Sequence, residues 1–323
     1  MSLADPSLIA EITPRRRRPW ITVAKFAMLA LVLWGIHQAV ERGLGELSEL
    51  DWRPRQLNLG LLAGSATLYL LGLAPAGLYW WQLLRKLGQH PRLGRTLRAY
   101  YVGHLGKYVP GKALVVILRA ALVRSEHVQG RVAATAVFCE TLTMMAVGAF
   151  VGGAVVAALF RQHLWLMLLA LGLMVAAGLP TLPAVFNRLV KLARRGGQAS
   201  DVEIHFNVRT LASGWLANLV GWPLIGASLL MTVHASGFGN SDRIMHEWVV
   251  CTGAAALAVV AGFASLIPGG LGVRDAVLMV FLKPTFGEAG ALVATIVARL
   301  VWLVAEALIS IILYPWRRGP ASG

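Results

Sequence analysis

The chain has 323 residues, of which 57% are apolar and only 14% are charged, and it carries a net charge of +15. A soluble domain would have roughly 25% charged residues, whereas several runs of about 20 residues here are nearly charge-free and long enough to cross a bilayer. This composition excludes a soluble protein and predicts an all-α, polytopic membrane protein. The basic residues cluster between apolar runs, where the positive-inside rule explains them, so they do not indicate nucleic-acid binding.

The chain begins with a polar tail, residues 1–19, that ends in four arginines and a proline and is predicted to stay in the cytoplasm. Residues 316–323 form a second basic tail, also predicted to be cytoplasmic. The apolar part between the tails spans residues 20–315. We predict about six full spans within it, at residues 20–40, 57–84, 131–160, 164–186, 210–235 and 288–314. Residues 85–98, which include Arg98, are predicted to form a basic cytoplasmic loop.

Two further apolar segments, residues 99–123 and 248–283, are each interrupted by a Pro-Gly pair. The pairs are Pro110-Gly111 and Pro268-Gly269. Proline ends a helix and leaves backbone groups unpaired, which is tolerated at membrane depth only where protein or a water-filled cavity surrounds the break. Both segments are therefore predicted to be re-entrant hairpins of broken helices. A pair of full spans would give the same sidedness, so the basic loops leave both alternatives open.

The hairpins divide the chain into two units with the same order of elements. Each unit, about 57–160 and about 210–314, is a span, a hairpin and a second span. Glu140 lies 30 residues after Pro110, and Arg299 lies 31 residues after Pro268. Because the units begin on opposite sides of the membrane, the pattern predicts an inverted-topology repeat, whose two breaks meet near the midplane.

Ionisable side chains within the apolar segments are costly and usually face a cavity or a partner. A helix that begins at a break favours phosphate through its free amides and its dipole, so we predict an anion site. Structural ion pairing, for example between Glu140 and Arg299, is the alternative and can hold together with it. The predicted substrate-binding residues are Lys107, Pro110, Gly111, Lys112, Arg119, Glu140, Pro268, Gly269, Gly270, Gly272, Arg274, Asp275, Arg299 and Glu306. Within them, Arg299 and Glu306 share one helical face with Trp302.

No cofactor is predicted, because the sequence has no cluster of residues with metal-ligand spacing. Cys139 and Cys251 lie in apolar runs and are interpreted as packing residues. No nucleophile–base pair or nucleotide loop is found in a credible context, so an enzyme is not expected.

The stretch from Gly106 to Lys112, followed by Arg119 and Glu140, resembles one signature of the lysylphosphatidylglycerol synthase transmembrane-region family. The stretch from Ile267 to Asp275, with Arg299, resembles the other. This is the flippase-like domain of the bacterial multiple peptide resistance factor and its stand-alone relatives. The resemblance covers about residues 20–315. It has Asp275 where the family more often has Glu, and no aminoacyl-transferase domain follows Trp316, so lipid lysylation is not carried over.

This resemblance implies a multi-pass protein of the bacterial inner membrane that moves an amphiphilic, phosphate-bearing lipid between leaflets. Membrane lipids are the expected partners, together with a separately encoded lipid-synthesising enzyme, and a homo-oligomer is compatible with the sequence. A small-solute or ion transporter and a non-transporting scaffold for lipid-modifying enzymes are the alternatives. The sequence does not indicate the lipid, the direction or the energy source.

Overall fold

A computed structural model describes residues 57–108, 113–125, 127–159, 164–182, 184–185, 187–188, 207–265, 270 and 272–317. These residues are helical, and no β-strand occurs among them. The predicted first span at 20–40, the N-terminal tail and residues 318–323 of the C-terminal tail lie outside the described residues. The α-helices with defined bounds are α1 (Leu59–Lys86), α2 (Leu93–His104), α3 (Ala113–Val123), α4 (Gly130–Leu159), α5 (Leu164–Gly178), α6 (Val208–Ala235), α7 (Ile244–Ala264) and α8 (Val273–Leu313).

Five helices of the described part are long and apolar enough to cross a membrane, namely α1, α4, α6, α8 and α7 together with the short 3-10 turn before it. The all-α, multi-pass class predicted from composition is confirmed. Helix α8 has 41 residues but is not continuous, because Gly287 has φ 75° and ψ 174° and Pro284 lies just before it. Its two parts, residues 273–286 and 288–313, are therefore separate helical segments, as the predicted last span from residue 288 requires.

Helices α1 and α6 form the central pair of the fold, and they are built alike. Each has 28 residues and an N-terminal asparagine cap: the Asn58 side chain accepts from Leu61 N, and that of Asn207 accepts from Thr210 N. The helices run antiparallel, because Asn58 N at the start of α1 donates to Ala235 O at the end of α6 at 3.0 Å.

The contacts between α1 and α6 are reciprocal. Gly72 and Gly221, each the fourteenth residue of its helix, lie against each other, and a Cβ on Gly221 would fall 2.6 Å from Gly72 O. Ser65, seventh in α1, bonds to Ser228, twenty-first in α6. In the other direction, Tyr79, twenty-first in α1, packs on residue 214, seventh in α6. Exchanging the two helices therefore leaves their contacts in place, as a two-fold axis through the glycines would.

The first interrupted segment forms a hairpin of α2 and α3. Gln129 N donates to the Gln89 side chain at 2.7 Å, and His90 N donates to His127 O at 3.2 Å, so the two ends of the hairpin lie together. With 12 and 11 residues, the two helices are only about 18 Å and about 16 Å long, shorter than the hydrocarbon core of a bilayer.

The second interrupted segment, α7 followed by residues 273–286, also begins and ends at one place. Phe238 before α7 packs against Gly290 after the kink, where an added Cβ would lie 3.0 Å from the Phe238 ring. This is the end of the molecule at which α1 begins and α6 ends, whereas the first hairpin begins where α1 ends. The hairpins thus enter from opposite ends. Unlike α2 and α3, α7 with its 21 residues is about 31 Å long and could cross a bilayer alone.

One boundary differs from the prediction in a way that matters for packing. The first interrupted segment was predicted to begin at residue 99, but α2 begins at Leu93. Arg98, assigned to a basic loop by its charge, is in fact only 6% exposed and donates to the carbonyl oxygen of Leu313 at 2.9 Å. An arginine at a helix C-terminus satisfies carbonyls that have no partner within the helix.

Candidate functional site

Described residues next to the two breaks lie against the second part of α8, where Lys107 contacts Glu306 and Arg274 contacts Trp302. Five of the predicted site residues, Pro110, Gly111, Lys112, Pro268 and Gly269, lie outside the described residues. The other nine are described, and all nine lie at or near this place. They are held there by three ion pairs and one arginine stacked on an aromatic ring.

The glycines of the second break adopt backbone conformations that other residues resist. Gly270 has φ 69° and Gly272 has φ 79°. Gly270 also lies against Gly262 of α7, and a Cβ added to it would be 2.8 Å from Gly262 Cα. A side chain at position 270 would therefore be strained and would also push the two arms of the hairpin apart.

Helix α8 begins directly after these glycines, with Asp275 in its first turn. The Asp275 side chain accepts from Gly272 N at 2.9 Å and so caps the helix. Arg299, on the second part of α8, forms an ion pair with the same carboxylate. Asp275 therefore fixes the start of the helix and ties the hairpin arm to the span that follows it.

Arg274 differs from the other cations of the site. Its guanidinium lies over the Trp302 ring, 4.4 Å from the centroid, and Trp302 in turn stacks on Tyr69 with 4.9 Å between ring centroids. No carboxylate of the described residues forms an ion pair with Arg274. Cation–π stacking leaves the N–H groups in the guanidinium plane able to donate, so Arg274 has capacity for an anionic ligand.

Lys107, in the short 3-10 turn after α2, connects the tip of the first hairpin to the last span. Its Nζ is 2.5 Å from Glu306 Oε1. The Tyr69 hydroxyl also donates to Oε1, and that of Tyr108 donates to Oε2 at 3.0 Å. The Glu306 side chain is 1% exposed, whereas that of Lys107 is 23% exposed. The carboxylate is thus buried inside the protein, whereas the side chain of its partner Lys107 is partly exposed.

The third ion pair lies wholly within the first unit. Arg119 on α3 donates to Glu140 on α4 at 2.8 Å, and both side chains are nearly inaccessible. The same arginine lies over the Tyr100 ring and contacts His104 Nδ1 at 2.7 Å. His104 therefore has a hydrogen-bonding role.

The pairing suggested as the alternative, Glu140 with Arg299, is wrong. Glu140 binds Arg119, and Arg299 binds Asp275. In both units the second arm of the hairpin pairs with the span that follows it, but the signs are exchanged: arginine then glutamate in the first unit, aspartate then arginine in the second. Glu140 and Arg299 thus each find their partner within their own unit.

Several polar residues of the site had not been singled out from the sequence. Tyr69 and Tyr108 bind Glu306, and a buried hydroxyl cluster lies beside them. In this cluster Ser65 bonds to Ser228 at 2.9 Å and to Thr232 at 2.8 Å, and Trp302 Nε1 donates to Ser228 Oγ at 2.8 Å. Ser65, Ser228 and Thr232 fall on the buried faces of α1 and α6, where small polar residues commonly join membrane helices. That pattern could have identified them.

The two signatures seen in the sequence are thus brought together at one buried polar centre. Comparison with protein families agrees with this arrangement, because residues 21–310 match the family described as the lysylphosphatidylglycerol synthase TM region. The chain belongs to this family. No curated protein matches the chain. Membership in the lysylphosphatidylglycerol synthase TM-region family is consistent with the apolar helices, and the protein is a multi-pass membrane protein.

Proposed function

We propose that this protein is a flippase-like transporter that moves a phosphate-bearing lipid between the leaflets of the bacterial inner membrane. The observation that carries the proposal is Arg274, a half-buried guanidinium at a glycine break, stacked on Trp302 and without an ion-paired carboxylate among the described residues. Lipid phosphate accepts two hydrogen bonds in the plane that such a guanidinium presents. Unpaired charge inside a membrane protein is costly and indicates a functional site.

The arrangement of the helices supports an inverted-topology repeat as the framework for this movement. Helices α1 and α6 exchange places without changing their contacts, and the hairpins approach the site from opposite ends. In this proposal α2–α3 is a re-entrant hairpin on the cytoplasmic side and α7 with residues 273–286 is its outer counterpart. Both chain termini are cytoplasmic, and the headgroup passes between the hairpins while its chains stay in lipid.

In this proposal the protein is not an enzyme. Its partners are membrane lipids and a separately encoded enzyme that supplies them. A transporter of small solutes or ions would use the same framework, and a scaffold protein would not need Arg274 to bind a ligand. The test therefore asks first for lipid binding at Arg274 and then for lipid movement.

The binding test uses purified full-length protein and native mass spectrometry. Phosphatidylglycerol is compared with phosphatidylcholine, whose phosphate is offset by its own cation, and with diacylglycerol, which has no phosphate. Arg274→Ala removes a charge-assisted contact, so we expect roughly ten- to a hundredfold weaker binding of phosphatidylglycerol. Arg274→Lys should recover part of this, because an ammonium makes no planar bidentate contact.

Arg85→Ala is the matched control. Arg85 also stacks on a tryptophan, with 4.9 Å to the Trp81 ring centroid, but at the end of α1 away from the breaks. Its loss should leave lipid preference unchanged. If Arg274→Ala stays folded and keeps the wild-type preference for phosphatidylglycerol, the phosphate site is not at Arg274. Reconstituted vesicles with headgroup-labelled phosphatidylglycerol then test movement, which the same substitution should slow.

A further inference from the structure

The ion pair between Lys107 and Glu306 joins the two units at the proposed headgroup site. The ammonium comes from the tip of the first hairpin, and the carboxylate comes from the last span. The pairs Arg119–Glu140 and Asp275–Arg299 each stay within one unit. Lys107–Glu306 is therefore the pair, of the three, that must respond when a ligand enters between the hairpins.

Exposure distinguishes the two partners. The side chain of Lys107 is 23% exposed and that of Glu306 is 1% exposed, so we expect a headgroup phosphate beside Arg274 to contact Lys107 rather than the carboxylate. Two anions, the phosphate and Glu306, would then compete for one ammonium in surroundings of low dielectric. When two negative charges share such a site, each strongly disfavours the ionised form of the other. Adding a proton to one of them removes the repulsion.

The surroundings of Glu306 suit the protonated acid as well as the carboxylate. Tyr69 OH binds Oε1 and Tyr108 OH binds Oε2. A phenol hydroxyl can donate to a carboxylate and can accept from a carboxylic acid. Glu306 can thus lose Lys107 and gain a proton without losing its other two hydrogen-bond partners or leaving a buried polar atom unpaired.

We propose, on the basis of the function proposed above, that Glu306 takes up a proton when a headgroup phosphate binds Lys107 and Arg274, so that lipid movement is coupled to protons. An O–H bond forms on Glu306 with a proton from the water through which the headgroup enters. The ammonium of Lys107 turns its N–H groups from Glu306 to the phosphate. When the headgroup leaves, the proton returns to water and the ion pair forms again.

Other titratable groups near Glu306 must be separated from it experimentally. Tyr69 faces it from α1, and Lys107 and Tyr108 face it from the turn after α2, with His104 one turn earlier. Arg274 and Arg299 lie on α8 itself. The part of α6 that lies beside this centre, near Ser228, contributes hydroxyls and no titratable group, and the titratable residues of α7, His246, Glu247 and Cys251, lie in its first turns. Among these neighbours, histidine is the residue type whose unperturbed pKa lies closest to neutral pH, so His104 needs its own control.

The experiment is titration calorimetry of the full chain in detergent with dioctanoyl phosphatidylglycerol, whose phosphodiester keeps a single charge between about pH 5 and pH 8. Measurements in two buffers of different ionisation enthalpy give the protons taken up. We expect about one proton per bound lipid, with affinity that falls up to about tenfold per pH unit as the pH rises through the range in which the proton is taken up. Glu306→Gln should bind without proton uptake and with affinity that does not change with pH.

Two control variants should keep the proton uptake. Glu247→Gln removes another buried carboxylate, which is 3% exposed and pairs with His234 in the first turn of α7, away from the proposed headgroup site, and His104→Gln removes the neighbouring imidazole. Wild-type binding without proton uptake, or uptake that persists in Glu306→Gln, would overturn the inference and leave the phosphate site standing. Binding that is weak at every pH and unaffected by Arg274→Ala would overturn both the inference and the proposed function.

Discussion

The buried charges of this protein are arranged in pairs, and their cost depends on both partners being present. An ion pair inside a protein contributes little over a well-packed apolar pair, but removing one partner leaves an unpaired charge that is strongly destabilising. Glu306 is one of the most buried of these charges, with Lys107 as its ion-pair partner among the described residues.

Lys107→Met is therefore expected to destabilise the folded protein by roughly 3–5 kcal/mol. The double variant Lys107→Met/Glu306→Gln should recover most of this loss, because no unpaired carboxylate remains. Thermal unfolding of the purified single and double variants at neutral pH measures both the loss of stability and its recovery. Lys283→Met is the control: it breaks an exposed pair with Glu288, which should contribute only about 0–1 kcal/mol. Equal losses in the two lysine variants would show that Glu306 does not depend on Lys107.

The sequence predicted which charged residues would collect at the centre but not how they would pair. Arg119, Glu140, Asp275, Arg299 and Glu306 were recognised because charge in an apolar run is rare. Pairing depends on how helices rotate and slide against each other, which spacing along the chain does not fix. The similar separations of Glu140 and Arg299 from the breaks, 30 and 31 residues, marked equivalent places in the two units but did not reveal their partners.

Helices of this protein are tied to one another at their ends as well as along their faces. The first turns of α2 reach the last turn of α8 through Arg98, which donates to the Leu313 carbonyl. This contact connects the start of the first hairpin to the end of the last span. From its charge, Arg98 was predicted to lie in a basic loop. Charge indicates the side of the membrane on which a loop lies, but it does not reveal a partner such as Leu313, 215 residues away in the chain.

Arg98→Ala should lower the free energy of unfolding by about 1.5–3 kcal/mol, the usual value for a hydrogen bond to a charged group. Arg95→Ala is the matched change, since Arg95 lies on the same helix and is exposed, and surface substitutions of this kind usually stay within about 0.5 kcal/mol. Melting temperatures of the two variants in the same detergent provide the comparison. Similar melting temperatures would mean that the end of α8 does not depend on α2.

On the scale of the whole molecule, the bases of the two hairpins lie at opposite ends of the α1–α6 pair. Periodicity and Pro-Gly pairs predicted the order of elements, and α1, α4 and α6 begin and end within two residues of the predicted spans. The second hairpin was less predictable, because α7 is long enough to span a bilayer and Gly287 interrupts a helix that composition alone would continue. A single glycine among apolar residues does not indicate a kink by itself.

Opposite entry predicts opposite labelling of the two hairpin bases. In a background with Cys139→Ala and Cys251→Ala, Arg95→Cys should react only after the cytoplasmic side is opened. Ser241→Cys and Ala289→Cys should react with an impermeant maleimide in intact cells. All three positions are exposed, and the two native cysteines are buried. Reaction of Arg95→Cys and Ser241→Cys from the same side would rule out the inverted arrangement.

The contact between Gly72 and Gly221 sets a limit on how the two units can move. Their backbones touch with no side chain between them. No flexible side chains are therefore present at this contact to let one unit slide past the other. Rotation about this point is the motion that remains, with the glycine pair as a fulcrum and α1 and α6 as levers of nearly equal arm. A small tilt at the glycine pair then gives a larger displacement at the helix ends, where the hairpin bases are attached. The space beside one hairpin base would widen while the space beside the other narrows.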